Sequence, residues 1–329
     1  MRAYIIRRLL LLVPSFLGIT FIIFLIIQLT PGDPTRLGAT PEGGLSLKNA
    51  ERYSADLRKV YGLDKPIYQQ YLIWLRNIFT FNFGYSYTDW RPIKDKILER
   101  LPITLSIELI SLVIMYVVAI PIGVYASIRQ NRLSDYLITL VLFILYSMPT
   151  IWVGTMLILY FAGTQFLDWF PLSGLHGDQA DRMAFFRWLG DVLWHMALPV
   201  VALTYGTFAY LSRFMRSGML EVIRQDYIRT ARAKGLSERV VIMRHALRNS
   251  LIPIVTISVM SLPGLLAGSV IVEKIFSIPG LGLLFYEAVL MRDYFTVMAL
   301  TTITGILVLF SLILVDITYA LVDPRISYD

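Results

Sequence analysis

With 56% hydrophobic and only 16% charged residues over 329 positions, and a mean hydropathy of +0.63, the chain is an integral membrane protein rather than a soluble domain, where charged residues make up roughly a quarter. Its formal net charge of +7 comes with no zinc-ligand array, no RNP-like string and no basic face free of the membrane, which argues against nucleic-acid binding. The absence of cysteine removes disulfides, thiolate catalysis and cysteine-ligated metals.

Crossing a bilayer takes about 20 mostly apolar residues, and six segments qualify: near 9–30, 103–127, 136–163, 196–215, 251–273 and 298–322. Arg2, Arg7 and Arg8 precede the first as they would in a signal peptide. Its apolar run is too long for one and has no small-x-small cleavage site, so it stays as a helix. Lys and Arg in the short loops put the N-terminus inside. Arg2, Arg7, Arg8, Arg129, Arg132, the stretch from Arg213 to Arg248 and Arg325 then face the cytoplasm, and only Arg182, Arg187 and Arg292 lie in the two later outer loops. The chain divides into a cytoplasmic N-terminus with the first span (1–30), an extracytoplasmic helical insertion (31–102) and a membrane core of five spans (103–329) that carries a cytoplasmic loop, 216–250.

Within the insertion, Ala55, Leu57, Val60 and Tyr61 predict one short helix. Tyr68, Tyr71, Leu72, Trp74, Leu75 and Ile78 predict a second after Pro66, and Ile93, Ile97 and Leu98 a third leading into the second span. These helices are expected to cap the outer mouth, their aromatics packing or anchoring at the interface. Trp169, Phe170, Phe185, Phe186, Trp188 and Trp194 in the loop 164–194 read the same way, or as a surface for a substrate-delivery protein. Pro14, Pro121, Pro149, Pro199 and Pro263 free backbone carbonyls and permit kinks that neighbouring helices must satisfy. Gly123, Gly154, Gly206, Gly264, Gly268 and Gly305 permit close helix contacts, Gly264 and Gly268 as a Gly-x-x-x-Gly pair.

Three acidic residues fall at membrane depth, where a charge costs on the order of 2.5 to 3.5 kcal/mol. Glu108, six residues past Pro102 and so roughly 9 Å into its helix, faces a polar path or pairs at the outer interface. Glu273, beside Lys274 near the outer end of its helix, is expected to snorkel or to form a structural pair. Asp316, closer to mid-helix, pairs with another helix or lines the pathway. Glu108 and Asp316 are thus the candidate substrate-pathway residues.

Catalytic readings fail on the residues available. His176, His195 and His245 are scattered across both sides of the membrane, so they form neither a His-Glu-x-x-His helix nor a three-histidine metal site, and no Gly-x-Ser-x-Gly elbow occurs. A carbonyl filter and an arginine-periodic sensor helix, the marks of a channel, are also missing. No Gly-x-x-x-x-Gly-Lys-Ser/Thr cradles a phosphate and no clear proton or sodium relay is present, so uphill transport must draw on a separate ATPase.

The basic loop between the fourth and fifth spans is where such a partner would act. Asp226, Tyr227, Ile228, Arg229, Thr230, Ala231, Arg232, Ala233 and Lys234 read as a short helix. Asp226 is its N-cap, Tyr227, Ile228 and Ala231 share a face, and Gly235 is a left-handed C-terminal cap. Ser237 caps a second helix, in which Leu236, Val240, Met243 and Leu247 form an apolar stripe against the membrane domain; Arg229, Arg232 and Lys234 point elsewhere.

A short helix, a glycine and a second helix returning to the bilayer resemble the coupling loop of ABC-importer permeases, whose pattern is Glu-Ala-Ala, three residues, Gly, nine residues, Ile-x-Leu-Pro. Aligned on Gly235, Arg229, Thr230 and Ala231 stand at the opening triplet, and His245, Ala246, Leu247 and Arg248 at the close. With Asn249 and the run from Asp226, this string resembles the form found in dipeptide and oligopeptide permeases. The resemblance extends over nearly the whole chain through Tyr4-Ile-Ile-Arg-Arg-Leu9, Pro31-Gly-Asp-Pro34, Tyr61-Gly-Leu-Asp-Lys-Pro66, Tyr146-Ser-Met-Pro149 and Ile278-Pro-Gly-Leu-Gly282, and the chain looks like the first of the two permease subunits of such an importer.

The resemblance implies an all-α membrane protein with the six transmembrane helices of the type I ABC importer permease fold. It implies a second homologous permease, two ABC ATPases gripping the loop from Asp226 to Gly235 with His245, Arg248 and Asn249, and an extracytoplasmic solute-binding protein. No cofactor belongs to this chain; ATP and Mg are held by the ATPases. The setting is a bacterial or archaeal cytoplasmic membrane with both termini inside, and the cargo di- or oligopeptides. Similar permeases also serve nickel complexes, glutathione and short sugar oligomers, and a scaffold that merely anchors an ATPase is the reading from another class.

Overall fold

The computed structural model describes residues 2–29, 64–86, 88–163, 166–177 and 183–322. The expected helix around Ala55 to Tyr61 and the Pro31 to Pro34 motif lie outside them. Among the described residues every extended element is helical, the one β feature being an isolated bridge between Tyr85 and Pro92.

Four helices are long and apolar enough to cross a membrane on their own. They lie in α1 (Arg2–Leu29), α3 (Ile93–Ile128), α6 (Phe185–Ile223) and α14 (Tyr294–Val322), with α2 (Ile67–Phe79) between the first two. The count reaches six only if two bent pairs are each taken as one span. In the first pair, α4 (Leu133–Ser147) meets α5 (Thr150–Leu157) and its π-helical extension Ile158–Ala162 at 95°. The continuous helix expected over 136–163 is therefore broken. Met148, ahead of Pro149, is pushed into extended backbone (φ −78°, ψ 131°), as a residue before proline must be. Tyr205 of α6 donates to the Met148 carbonyl at 2.6 Å, so a neighbouring helix satisfies the backbone at the break.

The expected span over 251–273 is also divided, into α10 (Ile252–Met260), α11 (Leu262–Ala267) and α12 (Val270–Ile275). Gly268 ends α11 at φ +69°, a conformation side chains rarely adopt, and Ser269 Oγ accepts from the Val272 N–H to start α12. Gly264 and Gly268 consequently form no continuous helix-packing face. Close packing falls elsewhere: α3 crosses α6 at Gly123, where an added Cβ would come within 2.6 Å of Met215 Cβ, and α1 meets α14 at Gly305, beside Ile19.

Before α10 lie α7 (Asp226–Ala233), α8 (Glu238–Val240), a π-helical stretch Val241–Ala246 and α9 (Leu247–Ser250); after α12, α13 (Leu281–Leu290) leads to α14. At the end of the bundle away from α7, α2 packs on α1, Tyr71 sharing a hydrogen bond with Thr20 at 3.0 Å, while Trp74 and Ile78 are buried. Tyr68 and Leu72 face outward instead of joining that stripe. Nearby, Asp293 accepts from Ser86 and Thr296, and Lys96 bonds Ser86 (3.0 Å) and pairs with Asp89 (2.9 Å). This network ties the start of α3 to the start of α14.

Candidate functional site

The basic loop folds into a knob with a distinct inner and outer face. On the inner face Ile228 and Ala231 of α7 with Val241, Ile242 and Ala246 are buried in one apolar cluster with Met115 and Ala119 of α3 and Leu211, Met215 and Met219 of α6. Removing that many aliphatic side chains from water fixes the knob to the two central helices. The expected stripe is corrected: Leu236, Val240 and Met243 are exposed, Met243 at 54%, and only Leu247 of that set packs inward. The stripe assumed a period of 3.6, whereas residues 241–246 wind as a π-helix, which rotates the buried face.

Around the turn, Gly235 takes φ +78° and its N–H donates to the Arg232 carbonyl at 2.9 Å. Asp226 occupies the first turn of α7 rather than its N-cap, which is Gln225; Asp226 lies 3.4 Å from Arg229, and the Thr230 hydroxyl donates to its carbonyl at 3.0 Å. Ser237 stands at the N-cap of α8 without a side-chain bond to the helix. Arg232 does not point free. It makes a bidentate pair with Glu238 at 2.7 and 3.1 Å, clamping α7 to α8 across Gly235, and these hydrogen bonds raise its guanidinium above the ordinary arginine value.

Asn249 donates to the Tyr227 hydroxyl at 2.7 Å, a second tie between the two arms. Ala233, Lys234 and Arg248 are exposed, His245 is half-buried, and the Arg229 side chain is 74% exposed. The outer face therefore presents Tyr227, Leu236, Val240 and Met243 among basic side chains. Exposed apolar area rimmed by charge is characteristic of surfaces that contact another protein, a membrane or a ligand.

A cavity of about 400 Å³ lies next to this cluster, between α3, α6 and the break from α10 to α11. Glu108, Ser111 and Tyr116 line it from α3, Thr204, Thr207 and Tyr210 from α6, and Ser261 from the break. Met115 and Leu211 line the cavity and also belong to the cluster that holds the knob. Tyr210 borders a second cavity of about 450 Å³ containing Arg213 and Arg216; Arg216 makes a bidentate pair with buried Asp135, both bonds at 2.7 Å.

Of the two acidic pathway candidates, only Glu108 is in the cavity. Asp316 pairs with Arg8 at 3.2 Å, joining α14 to α1. Glu273 is bonded by Thr104 and the Leu283 N–H and is 4% exposed, so it is a structural anchor, buried rather than snorkelling. Ser111, Tyr116 and Tyr210 escape sequence reasoning, because uncharged polar residues on apolar helices carry no signal of which face they take. Among the described residues no group of three or more His, Asp or Glu is placed to hold a metal ion.

Residues 119–328 match the family described as "Binding-protein-dependent transport system inner membrane component", and residues 1–108 match its N-terminal counterpart. The chain is 41% identical to the oligopeptide transport system permease protein AppB of Bacillus subtilis, with both chains covered in full. It is 37% identical to the di/tripeptide transport system permease protein DppB of Pseudomonas aeruginosa and 33% identical to the peptidoglycan transport system permease protein YejB of Agrobacterium fabrum. Each match covers 100% of this chain and 99% of the relative.

Proposed function

The chain belongs to the binding-protein-dependent transport system inner membrane component family, and from that premise we propose that it is one of two permease subunits importing di- or oligopeptides by alternating access. An extracytoplasmic binding protein delivers the cargo, and a pair of ATPases, holding ATP and Mg, drives the cycle from the cytoplasm. The knob faces the cytoplasm with the basic loops and the N-terminus, in keeping with the bias of Lys and Arg. The peptide cargo follows from what the relatives are said to transport.

One observation supports the mechanism: Met115 and Leu211 line the membrane cavity and belong to the same buried apolar cluster as the knob's inner face. Displacement of the knob is passed to α6, and through the shared cluster to α3, since close-packed interiors pass strain on rather than absorb it. When the ATPases close on ATP, each holding one permease's knob in a cleft, the displacement reaches the cavity wall and the path opens outward to the docked binding protein. Hydrolysis resets it inward. Gly235 permits the sharp turn, the exposed apolar face of Tyr227, Leu236, Val240 and Met243 seats in the cleft, and Arg229 and Lys234 orient it.

Because the chain has no cysteine, single-cysteine crosslinking tests this directly. Met243→Cys on the outer face is expected to crosslink to an ATPase subunit in the assembled complex, with a yield that changes on adding ATP, whereas Leu312→Cys, exposed on α14, is not. A Met243→Cys variant that captures no ATPase removes the knob from the mechanism.

A further inference from the structure

Serine and threonine on these helices return their hydroxyl to the carbonyl one turn back: Ser106 to Pro102, Thr155 to Ile151, Thr204 to Val200 and Ser311 to Leu307. Ser111 departs from that habit. It is 5% exposed, lines the cavity, and its Oγ has no hydrogen-bond partner. A buried hydroxyl without a partner is unfavourable, and a ligand able to bond it would recover that cost.

Three residues earlier on the same face of α3, Glu108 shares the cavity. Among the described residues it has neither a hydrogen bond nor an ion pair, whereas Asp135, Glu273, Asp293 and Asp316 each have at least one. A carboxylate that lines the cavity without a partner, one turn from a buried hydroxyl that also lacks one, makes an acceptor set for a cationic donor once the hydroxyl turns toward it.

We infer that Glu108 and Ser111 bind the α-ammonium of the peptide in transit. Glu108 supplies the counter-charge and one acceptor, Ser111 a second acceptor, and the hydroxyls of Thr207 and Tyr210 across the cavity face the first peptide unit. An ammonium brings three N–H donors and the charge opposite to Glu108; a carboxylate brings no donor, and an uncharged amide brings donors without the charge. The inference rests on the peptide-import reading above and names the group on the cargo that the cavity selects.

The test uses the complete reconstituted assembly in proteoliposomes, with saturating binding protein presenting either trialanine or its desamino analogue, in which hydrogen replaces the amino group. Wild type is expected to import trialanine at least tenfold faster than the analogue. Glu108→Gln should lower trialanine import about tenfold while leaving the slow import of the analogue unchanged, Glu108→Asp should recover part of the loss, and Ser111→Ala should cost a smaller factor of two to five on trialanine alone. Equal import of trialanine by wild type and Glu108→Gln overturns the inference. So does an equal loss of both cargoes, which is what a Glu108 paired to the sister permease would give. Wild-type vesicles that import neither compound under ATP overturn the peptide-cargo reading itself, and this inference with it.

Discussion

Glu273 and Glu108 are both carboxylates on the membrane core of one chain, and they meet opposite surroundings. The loop that follows α12 folds back over Glu273, so that Thr104 donates to one oxygen at 3.1 Å and the Leu283 N–H to the other at 2.7 Å. Gly280 and Gly282 pass so close that a side chain on Gly280 would meet the carboxyl carbon at 2.4 Å. Glu108 sits four residues beyond Thr104 on α3, one helical turn away, and among the described residues it has no hydrogen bond or ion pair. Within one turn of α3, then, Thr104 helps to hold the acid of α12 while Glu108 is left open to a cavity. A buried acid whose acceptors are filled holds the fold; an unfilled one is available to a ligand.

The contrast breaks most readily at the glycine contact. Gly280→Val is expected to cost upwards of about 3 kcal/mol by overpacking the cradle, read as a loss of assembled permease on purification. Normal recovery and thermal midpoint would mean that the Glu273 cradle is not tight. Next comes Glu273→Gln, whose NH₂ group replaces one acceptor, so that either the Leu283 N–H loses its bond or the Thr104 hydroxyl must turn to accept. A loss of about 2 kcal/mol is expected, seen as a lowered thermal midpoint.

Asp316→Asn loosens only a part-exposed pair with Arg8. Its expected cost is up to about 1 kcal/mol, with peptide import retained; a selective loss of import at full stability would return Asp316 to the pathway. Smallest in stability is Glu108→Gln, within about 0.5 kcal/mol of wild type because no native bond is lost. A thermal midpoint as low as that of Glu273→Gln would show that Glu108 has a structural partner after all.

The same contrast separates what the sequence reveals from what it hides. Apolar run lengths locate the four helices long enough to span alone, because the bilayer sets the length they need, and Gly235 is legible because a helix ending on a reversal needs a positive φ. Glu108 stands out because charge at membrane depth is rare. Three features stay hidden. Arg8 and Asp316 are joined across 308 positions, a pairing that no local pattern encodes. Pro149 is visible as a breaker, but neither the 95° bend nor the Tyr205 hydroxyl that bonds the Met148 carbonyl at the break is encoded locally. The inner face of the knob is misread because a π-helical turn has no compositional signature, so Val241, Ile242 and Ala246 replace the expected stripe.

The central claim is that the knob transmits work from the ATPases to the cavity, and Gly235 is its most direct probe. An added Cβ there meets nothing within 4 Å, so a substitution acts through the backbone alone, and a β-branched residue at φ +78° is strained enough to remodel the turn. In the complete assembly carrying Gly235→Val, the rise in ATP hydrolysis on adding loaded binding protein is expected to fall at least fivefold, together with peptide uptake. An undiminished rise with normal uptake would contradict the account.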